Sequence, residues 1–546
     1  MEKLTPVKRL WKLVKTERSE IRNIYLFAIF QGLVGLSLPI GIQAIINLLQ
    51  AGQLRTSWVV LVVFVLAGIL FYGTLQLRLM RITESIEQRL FVKSSFELAF
   101  RLPHISTESI VGKYVPEMMN RFFEIMTIQK SMSKLLIDFS AAIVQVLFGL
   151  ILLSFYHSMF ILLAVVLVLM MYIVFRFTGL SGLKSSIDES NQKFAVAHWL
   201  EEVSRTLMTF KLSGETTLPL QKADQHTSAY LDARNQHFKV LVSQYKILIF
   251  FKLIVAAALI IVGSRLVVNG QINIGQFVAA EIIIIMIINS IEKIILNLGT
   301  VYDLLTSLEK VGGITDIPLE RDGGEDIQNI SLANGHSLRI KDLKFQFKDA
   351  TTPLFETINL NIKSGEKICL TGNNGSGKTT LLKLLAGMYA NYSGSIVIND
   401  VPLENINLPS YRNSIAVNFT EQEIFKGTVL DNIICGRPNI TLNHVVEICS
   451  SLRLNSYIES LASGYEATLD PEGRGLASGV LKKIILARCL VGQPKLLLME
   501  DNLSSFVPED RECILNYIFT HCKNMTMMIT SNSEDIIKRC DREIVL

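Results

Sequence analysis

The chain has 546 residues, of which 50% are hydrophobic and 19% charged, and its mean hydropathy is +0.38. This composition excludes an ordinary soluble protein and indicates a chain that is partly embedded in a membrane. The formal net charge of +4 does not favour nucleic acid as a partner, because much of the basic charge lies in loops beside apolar stretches. All seven cysteines lie in the less apolar part after Thr300, without a C-x-x-C spacing, and we expect them to be reduced.

Apolar stretches dominate the first 300 residues and predict six membrane spans of helical type. A basic segment, residues 1–22, precedes them, and the loops after the second and fourth spans are long, polar and helical in period. Basic residues concentrate on one side of the spans, so the positive-inside rule places both termini in the cytoplasm. The long loops predict that helices extend into the cytoplasm as stalks. The predicted spans are residues 24–49, 58–77, 135–156, 159–175, 247–268 and 274–296.

A boundary follows the last span. Residues 312–326 contain Pro318 and the turn-forming run Arg321-Asp-Gly-Gly324, and strand-like segments begin by Ser337. The sequence therefore predicts a transmembrane domain over residues 1–311, a linker over residues 312–336 and an α/β domain over residues 337–546.

Two ionisable residues lie in the last pair of spans, Lys252 and Glu281. Counted from the turn at Gly270, they differ in depth by about 10 Å at 1.5 Å per residue, so we do not expect them to pair. We expect Lys252 to snorkel to the inner interface. Glu281 lies nearer the midplane and is a weak candidate for lining a pathway.

A glycine-rich segment, Thr371-Gly-Asn-Asn-Gly-Ser-Gly-Lys-Thr-Thr380, lies between an apolar strand and a helical run. Its glycines allow a tight turn that points several N–H groups at one anion, so we predict a phosphate-binding loop. Lys378 would reach the β- and γ-phosphates of a nucleotide, and the Thr379 hydroxyl would hold Mg²⁺. The alternative is an ordinary glycine turn before a helix, which the strand-loop-helix context weakens. The predicted nucleotide contacts here are Gly372, Asn373, Asn374, Gly375, Ser376, Gly377, Lys378, Thr379 and Thr380.

A second apolar strand, Lys495-Leu-Leu-Leu-Met499, ends in the acidic pair Glu500 and Asp501. In a phosphate-loop ATPase the first acid holds the Mg²⁺ shell and the second polarises the attacking water. The alternative is a plain exit from a strand into a loop, which would be favoured without the phosphate loop upstream.

Four further segments carry a family resemblance. They are Phe345-Gln-Phe347, Ser393-Gly-Ser-Ile-Val-Ile-Asn399, Tyr411-Arg-Asn-Ser-Ile-Ala416 and Glu472-Gly-Arg-Gly-Leu-Ala-Ser-Gly-Val480. With the two motifs above, the chain resembles one half of an ATP-binding cassette (ABC) exporter over nearly its whole length. The Glu-Gly-Arg-Gly sequence that begins the last of these segments is most like that of the ATPases of type I protein secretion. The resemblance implies a membrane all-α six-helix exporter domain fused to a cytosolic α/β phosphate-loop ATPase domain.

The resemblance also assigns roles. Phe347 would stack on adenine, and Ala477, Ser478 and Gly479 would contact nucleotide across a dimer. Residues 106–111 and 204–210 would be coupling helices that rest on the ATPase domains.

The chain departs from the family pattern where hydrolysis takes place. Leu476-Ala-Ser-Gly-Val480 stands where the family has Leu-Ser-Gly-Gly-Gln, so the serine hydroxyl is lost. Glu500 and Asp501 exchange the family's Asp and Glu, which leaves the catalytic carboxylate one methylene short. A misplacement of roughly 1 Å can lower a rate by about 10². We assign catalysis to Asp501 and Ser531, with Ser531 at the position of the family's switch histidine.

Two more positions differ. Thr420 occupies the position of the metal-sensing glutamine, with Gln422 nearby, and Val507 replaces an aspartate that faces the partner subunit. The predicted metal ligands are therefore Thr379, Glu500 and Thr420. The residues expected to bind ATP are therefore present, whereas those expected to promote its hydrolysis are replaced.

Two functions stay open on this sequence. The first is ATP-dependent export by a half-transporter that works as a homodimer or heterodimer, with ATP and Mg²⁺ bound, in the bacterial inner membrane and among its lipids. The type I resemblance implies a polypeptide cargo, a periplasmic adaptor and an outer-membrane channel. The second is an ATP-binding but hydrolysis-poor switch or scaffold subunit of a transporter complex.

Overall fold

The computed structural model describes residues 4–50, 56–157, 159–327, 335–348, 350–503 and 506–546. The chain divides into two compact units, of which unit 1 comprises Met1–His104 and Gly112–Ile317 and unit 2 comprises Ile105–Val111 and Pro318–Leu546. Residues 51–55 and 158, which lie between predicted spans, and part of the predicted linker lie outside the described residues.

The described part of the chain up to Thr315 is helical. All of these helices belong to unit 1 except α5, which belongs to unit 2. They are α1 Pro6–Thr16, α2 Arg18–Gly35, α3 Ser37–Gln50, α4 Thr56–Arg101, α5 Thr107–Ile110, α6 Val115–Met119, α7 Glu124–Tyr156, α8 Met159–Arg205, α9 Leu207–Leu212, α10 Leu218–Val268, α11 Ile274–Leu296 and α12 Leu298–Thr315.

Five helical stretches among the described residues are long and apolar enough to cross a membrane. The predicted span at residues 159–175 falls in α8, where several side chains lie outside the described set. The first span is not one continuous helix, because it breaks at Leu36 between α2 and α3, three residues before Pro39. The five stretches are Arg18–Gln50, Thr56–His104, Val115–Tyr156, Leu218–Val268 and Ile274–Thr315.

Three helices are much longer than a membrane requires. Helices α4, α8 and α10 have 46, 47 and 51 residues. At 1.5 Å per residue each is about 70 Å long, roughly twice the hydrocarbon thickness. Each therefore continues outside the bilayer, as the helical period of the long loops predicted.

Lys252 has a partner that the sequence analysis missed. Its Nζ lies 2.5 Å from Oε2 of Glu292, and both side chains are partly buried. Lys252 is thus paired and does not merely snorkel to the interface.

Unit 2 contains all the strands of the described chain and the remaining helices. The strands are β1 Leu338–Phe345, β2 Phe355–Ile362, β3 Lys367–Thr371, β4 Ser393–Ile398, β5 Val401–Pro402, β6 Ile415–Asn418, β7 Gly427–Thr428, β8 Thr468–Leu469, β9 Leu496–Glu500, β10 Thr526–Thr530 and β11 Arg542–Val545. The helices are α13 Lys378–Leu385, α14 Leu408–Ser414, α15 Val429–Ile434, α16 Leu442–Ser451, α17 Asn455–Ser460, α18 Ser478–Leu490, α19 Pro508–Asn516 and α20 Glu534–Arg539.

The strands of unit 2 form two main sheets. An antiparallel sheet has the order β2-β1-β4-β5, and a parallel sheet has the order β11-β3-β10-β9-β6. Three of the parallel strands, β3, β9 and β10, are mostly apolar and almost fully buried, as in sheets covered on both faces. Because parallel strands end at the same edge, the residues after β3, β6, β9 and β10 meet there, which is where ligands bind in such sheets.

Candidate nucleotide site

The phosphate loop connects β3 to α13 at the carboxyl edge of the parallel sheet. Gly377 caps α13 with a φ of 95°, and a Cβ there would lie 2.5 Å from the ring of Phe355. Only glycine fits this position without strain. The turn therefore directs the loop into the amino end of α13, whose free N–H groups favour an anion.

Two side chains of the loop are available for phosphate. Lys378 lies over the loop, where its Nζ donates to the carbonyl oxygens of Gly372 at 2.9 Å and Asn373 at 2.8 Å. The Ser376 hydroxyl is buried and has no hydrogen-bond partner among the described residues. An unsatisfied buried hydroxyl is costly unless a ligand completes it, so the loop fits a phosphate group.

The predicted metal ligands come together at one point. Thr379 Oγ1 donates to one oxygen of Glu500, and the backbone N–H of Thr420 donates to the other at 2.7 Å. Burial alone would raise the pKa of the Glu500 carboxyl, but the hydrogen bonds from Thr379 and Thr420 lower it below its usual value. An ionised carboxylate beside a hydroxyl is an oxygen donor set that fits Mg²⁺.

Gln422 stands near this set, as the sequence analysis noted. Its amide nitrogen donates to the Val417 carbonyl at 3.0 Å, while its Oε1 is buried without a partner among the described residues.

Asp501 and Ser531 are in direct contact. The Ser531 hydroxyl donates to Asp501 Oδ2 at 2.5 Å, and the Leu503 N–H donates to Oδ1 at 3.1 Å. Ser531 follows β10 and is itself anchored, since its N–H donates to the Leu370 carbonyl at 3.1 Å. Both carboxylate oxygens are thus held by the protein, which restrains the acid that would act on water.

Asn532 is a contact residue that the sequence analysis missed. Its Oδ1 accepts the Gly372 N–H and its Nδ2 donates to the Gly372 carbonyl, both at 3.3 Å. The side-chain amide therefore pairs with both backbone groups of the loop's first glycine. The only feature of the sequence that pointed to Asn532 was its position directly after Ser531.

Phe347 lies in an aromatic group at the end of β1. Its ring is perpendicular to that of Phe345, with centroids 4.9 Å apart, and lies 6.0 Å from that of Tyr389. The side chain is half-buried, so part of the ring remains accessible to a base.

The signature-like segment lies at the start of α18. Ala477 is the residue before the helix, and both Ala477 and Ser478 are exposed, while Gly479 lies near Phe506. Within the described residues, none of the hydrogen bonds of this segment reaches the phosphate loop. Val507, the other position expected to face a partner, is 63% exposed.

The first predicted coupling segment is part of unit 2. The Glu108 carboxylate accepts hydrogen bonds from the N–H groups of Ala390 at 2.6 Å and Asn391 at 2.8 Å. The structure therefore places Ile105–Val111 against the loop that follows α13. Residues 204–210, the second predicted segment, belong to unit 1.

The domain that contains this nucleotide site matches a known protein family. Residues 355–504 match the family model described as "ABC transporter". These residues span the chain from β2 past the acidic pair, and they are an ABC transporter domain.

The relatives and the fold agree with this assignment. The chain is 27% identical over 284 residues to the alpha-hemolysin translocation ATP-binding protein HlyB of Escherichia coli O157:H7, and 25% identical over 285 residues to the leukotoxin export ATP-binding protein LtxB of Aggregatibacter actinomycetemcomitans. Each match covers 52% of this chain and only 40% of the relative. The structure of a bacterial Atm1-family ABC exporter with ATP bound is similar with a TM-score of 0.81 and 16% identity, over 97% of this chain and 93% of that one. The predicted fold class, an exporter-type helical domain joined to an α/β ATPase domain, is confirmed.

Proposed function

We propose that this chain is one half of an ATP-dependent exporter of the bacterial inner membrane, and that it works as a dimer. The observation that carries the proposal is the meeting of Lys378, Thr379 and Glu500 at one edge of a parallel sheet. The long helices of unit 1 supply the membrane part. The exposed signature residues make no hydrogen bond to the phosphate loop within the described part of the chain, which supports a second chain across the nucleotide.

The site residues have distinct tasks in this proposal. The phosphate loop and Lys378 bind the phosphates, Phe347 stacks on the base, and Asp501 orients the attacking water with Ser531. Thr379, Glu500 and Thr420 would hold Mg²⁺, which supplies neutralisation of phosphate charge when bound. Glu108 would transmit movement of the loop at Ala390 and Asn391 to the helices that flank it.

The names of two relatives support a class of cargo for this chain. These relatives are named for translocation of hemolysin and export of leukotoxin, which supports a polypeptide cargo for this chain. A periplasmic adaptor and an outer-membrane channel are the partners that such cargo would need, and both termini of the chain would lie in the cytoplasm.

A second function is favoured by one specific contact. Because Ser531 and Leu503 hold both oxygens of Asp501, the acid is restrained and hydrolysis would be slow. In that case the chain is an ATP-binding switch or scaffold subunit of a transporter complex.

ATP turnover by the purified full chain in lipid nanodiscs tests the proposal. We expect turnover well above that of Lys378→Ala, whose missing ammonium group cannot hold the phosphates, while ATP still binds to the unaltered chain. Lys341→Ala, which removes an exposed lysine of β1, is the matched control and should behave as the unaltered chain. If the unaltered chain binds ATP but turns it over no faster than Lys378→Ala does, the exporter function is rejected. The ATP-binding switch or scaffold would then be the remaining function.

A further inference from the structure

The exposed face of helix α11 carries several polar residues. Helix α11 packs its buried side on α3, α7 and α10, and leaves a face exposed that includes Glu281, Ile285, Asn289 and Lys293. These residues recur every four positions, so they form one stripe along the helix. Three of the four are polar or charged.

Helix α7 provides an internal comparison. From Ile143 to the end of α7 its exposed residues also recur every four positions, and all four are large and apolar: Ile143, Leu147, Ile151 and Phe155. Such a stripe suits lipid or a dry contact. The two helices pack against each other, as shown by Gly149, where a Cβ would lie 2.9 Å from Ile287. The polar stripe is therefore particular to α11 and not to this depth of the unit.

Glu281 lies well inside the hydrocarbon region. It is eight residues beyond Asn273, which caps α11 at its outer end, or about 12 Å along a helix of about 35 Å. It forms no hydrogen bond or ion pair with the described residues. Glu292, the second acid of α11, is by contrast paired with Lys252.

A carboxylate at this depth needs a polar environment. An ionised side chain facing lipid is strongly unfavourable, and such residues face protein or a water-filled cavity. The stripe also carries Asn289 and Lys293, so water suits the whole face better than a dry helix contact does. Its single acid, Glu281, attracts positive charge.

We propose that the α11 stripe lines a water-filled path between two copies of this chain, and that Glu281 is a binding site for cationic groups such as lysine or arginine side chains of a cargo. This inference rests on the proposed export function, because a path requires a second copy. It adds a site and a charge preference to that function.

Cysteine labelling in nanodiscs tests the path without ATP. Ile285→Cys lies one turn from Glu281, and Leu147→Cys on α7 is the matched apolar control. We expect thiol reagents of similar size, one with a trimethylammonium group and one with a sulfonate, to modify Ile285→Cys and to leave Leu147→Cys unmodified. The seven native cysteines lie at residue 369 or later. Mass spectrometry of the labelled peptides distinguishes their modification from that of the introduced cysteine.

The charge preference tests Glu281 itself. One charge about 6 Å away in water-like surroundings changes the rate of a unit ion about threefold, upward for a cation and downward for an anion. Relative to a free thiol, Ile285→Cys should thus prefer the cationic reagent by about tenfold. Glu281→Gln should abolish the preference, and Glu281→Asp should keep it.

Two results would overturn the inference. In the first, Ile285→Cys and a second position, Asn289→Cys, are as unreactive as Leu147→Cys, so that the stripe is dry. In the second, Glu281→Gln leaves the preference unchanged. Labelling needs no ATP, so its result is independent of ATP turnover. A chain without turnover can still be labelled along the path, and a chain with turnover can fail to be labelled.

Discussion

At the scale of single residues, the pair Asp501 and Ser531 would set the rate of ATP hydrolysis in the proposed exporter. Asp501 is a short acid at the position of a longer one, and Ser531 donates to it where the related family has a histidine. The serine holds the acid but cannot carry the positive charge that an imidazole can. The two replacements act on the same water, so their effects on rate need not multiply.

We therefore expect Asp501→Glu combined with Ser531→His to raise ATP turnover by about 10². The longer carboxylate regains its reach and the imidazole replaces the serine hydroxyl. Turnover of the purified chain in nanodiscs measures the change, and adding Lys378→Ala should return it to background. A variant that binds ATP as the unaltered chain does, yet gains no turnover, would show that this pair does not limit the rate.

Asn532 supports the phosphate loop through Gly372. Asn532→Ala removes two long hydrogen bonds of 3.3 Å, each worth about 0.5 kcal/mol. We expect the affinity for ATP to fall about threefold to tenfold. Titration of a fluorescent ATP analogue measures this, with Asn439→Ala, an exposed asparagine of another loop, as the control. Equal affinity of Asn532→Ala and the unaltered chain would contradict this role.

The site was predictable from the sequence where spacing alone determines it. The order of glycines before Lys378 and the acid after an apolar strand predicted that Thr379 and Glu500 would be close, and they are in contact. Asn532 could not be predicted, because its contact depends on the registers of β3 and β10, which are distant in the chain. The pairing of Lys252 with Glu292 likewise depends on how two helices pack.

At the scale of elements, His336 joins the two sheets of unit 2. It precedes β1 and is almost fully buried, and its ring nitrogens contact Ser414 at 2.7 Å and Asn399 at 2.6 Å. Its carbonyl accepts the Thr526 hydroxyl at the start of β10. Burial, with the nearby positive charge of Lys495, lowers the pKa of His336 to about 4.

This burial predicts a loss of stability in acid. The unfolded chain binds a proton at His336 as the pH falls below about 6.5, whereas the folded chain does so only near pH 4. The contribution is therefore complete above pH 6.5 and is lost as the pH falls towards 4, by up to about 3 kcal/mol.

Urea unfolding measures the effect. The β-sheet infrared band reports on unit 2, which holds all strands of the described chain. The difference in unfolding midpoint between pH 7 and pH 5 should be smaller in His336→Gln than in the unaltered chain. An equal difference in both would assign the acid sensitivity to other groups.

The elements also show what the sequence could not provide. Hydrophobic stretches and loop polarity predicted long helices that leave the membrane, and α4, α8 and α10 have that length. The break at Leu36 was not predicted, because apolar residues continue on both sides of it. The place of α5 in unit 2 was expected only from the family resemblance, since four residues carry no pattern of their own.

At the scale of the whole molecule, the phosphate loop and the signature segment of one chain make no hydrogen bond to each other among the described residues. A complete nucleotide site in the proposed exporter therefore takes its loop from one copy and its signature segment from another. ATP would hold the two together, and hydrolysis would release them.

Hydrogen exchange of the full chain in nanodiscs, with and without ATP and Mg²⁺, tests this account most directly. The account predicts that ATP slows exchange at residues 372–380 and also at residues 476–480, and that Lys378→Ala loses both effects. Protection of both segments in the unaltered chain would show two copies closed on nucleotide. Protection of the phosphate loop alone, with exchange at residues 476–480 unchanged, would contradict the dimeric site.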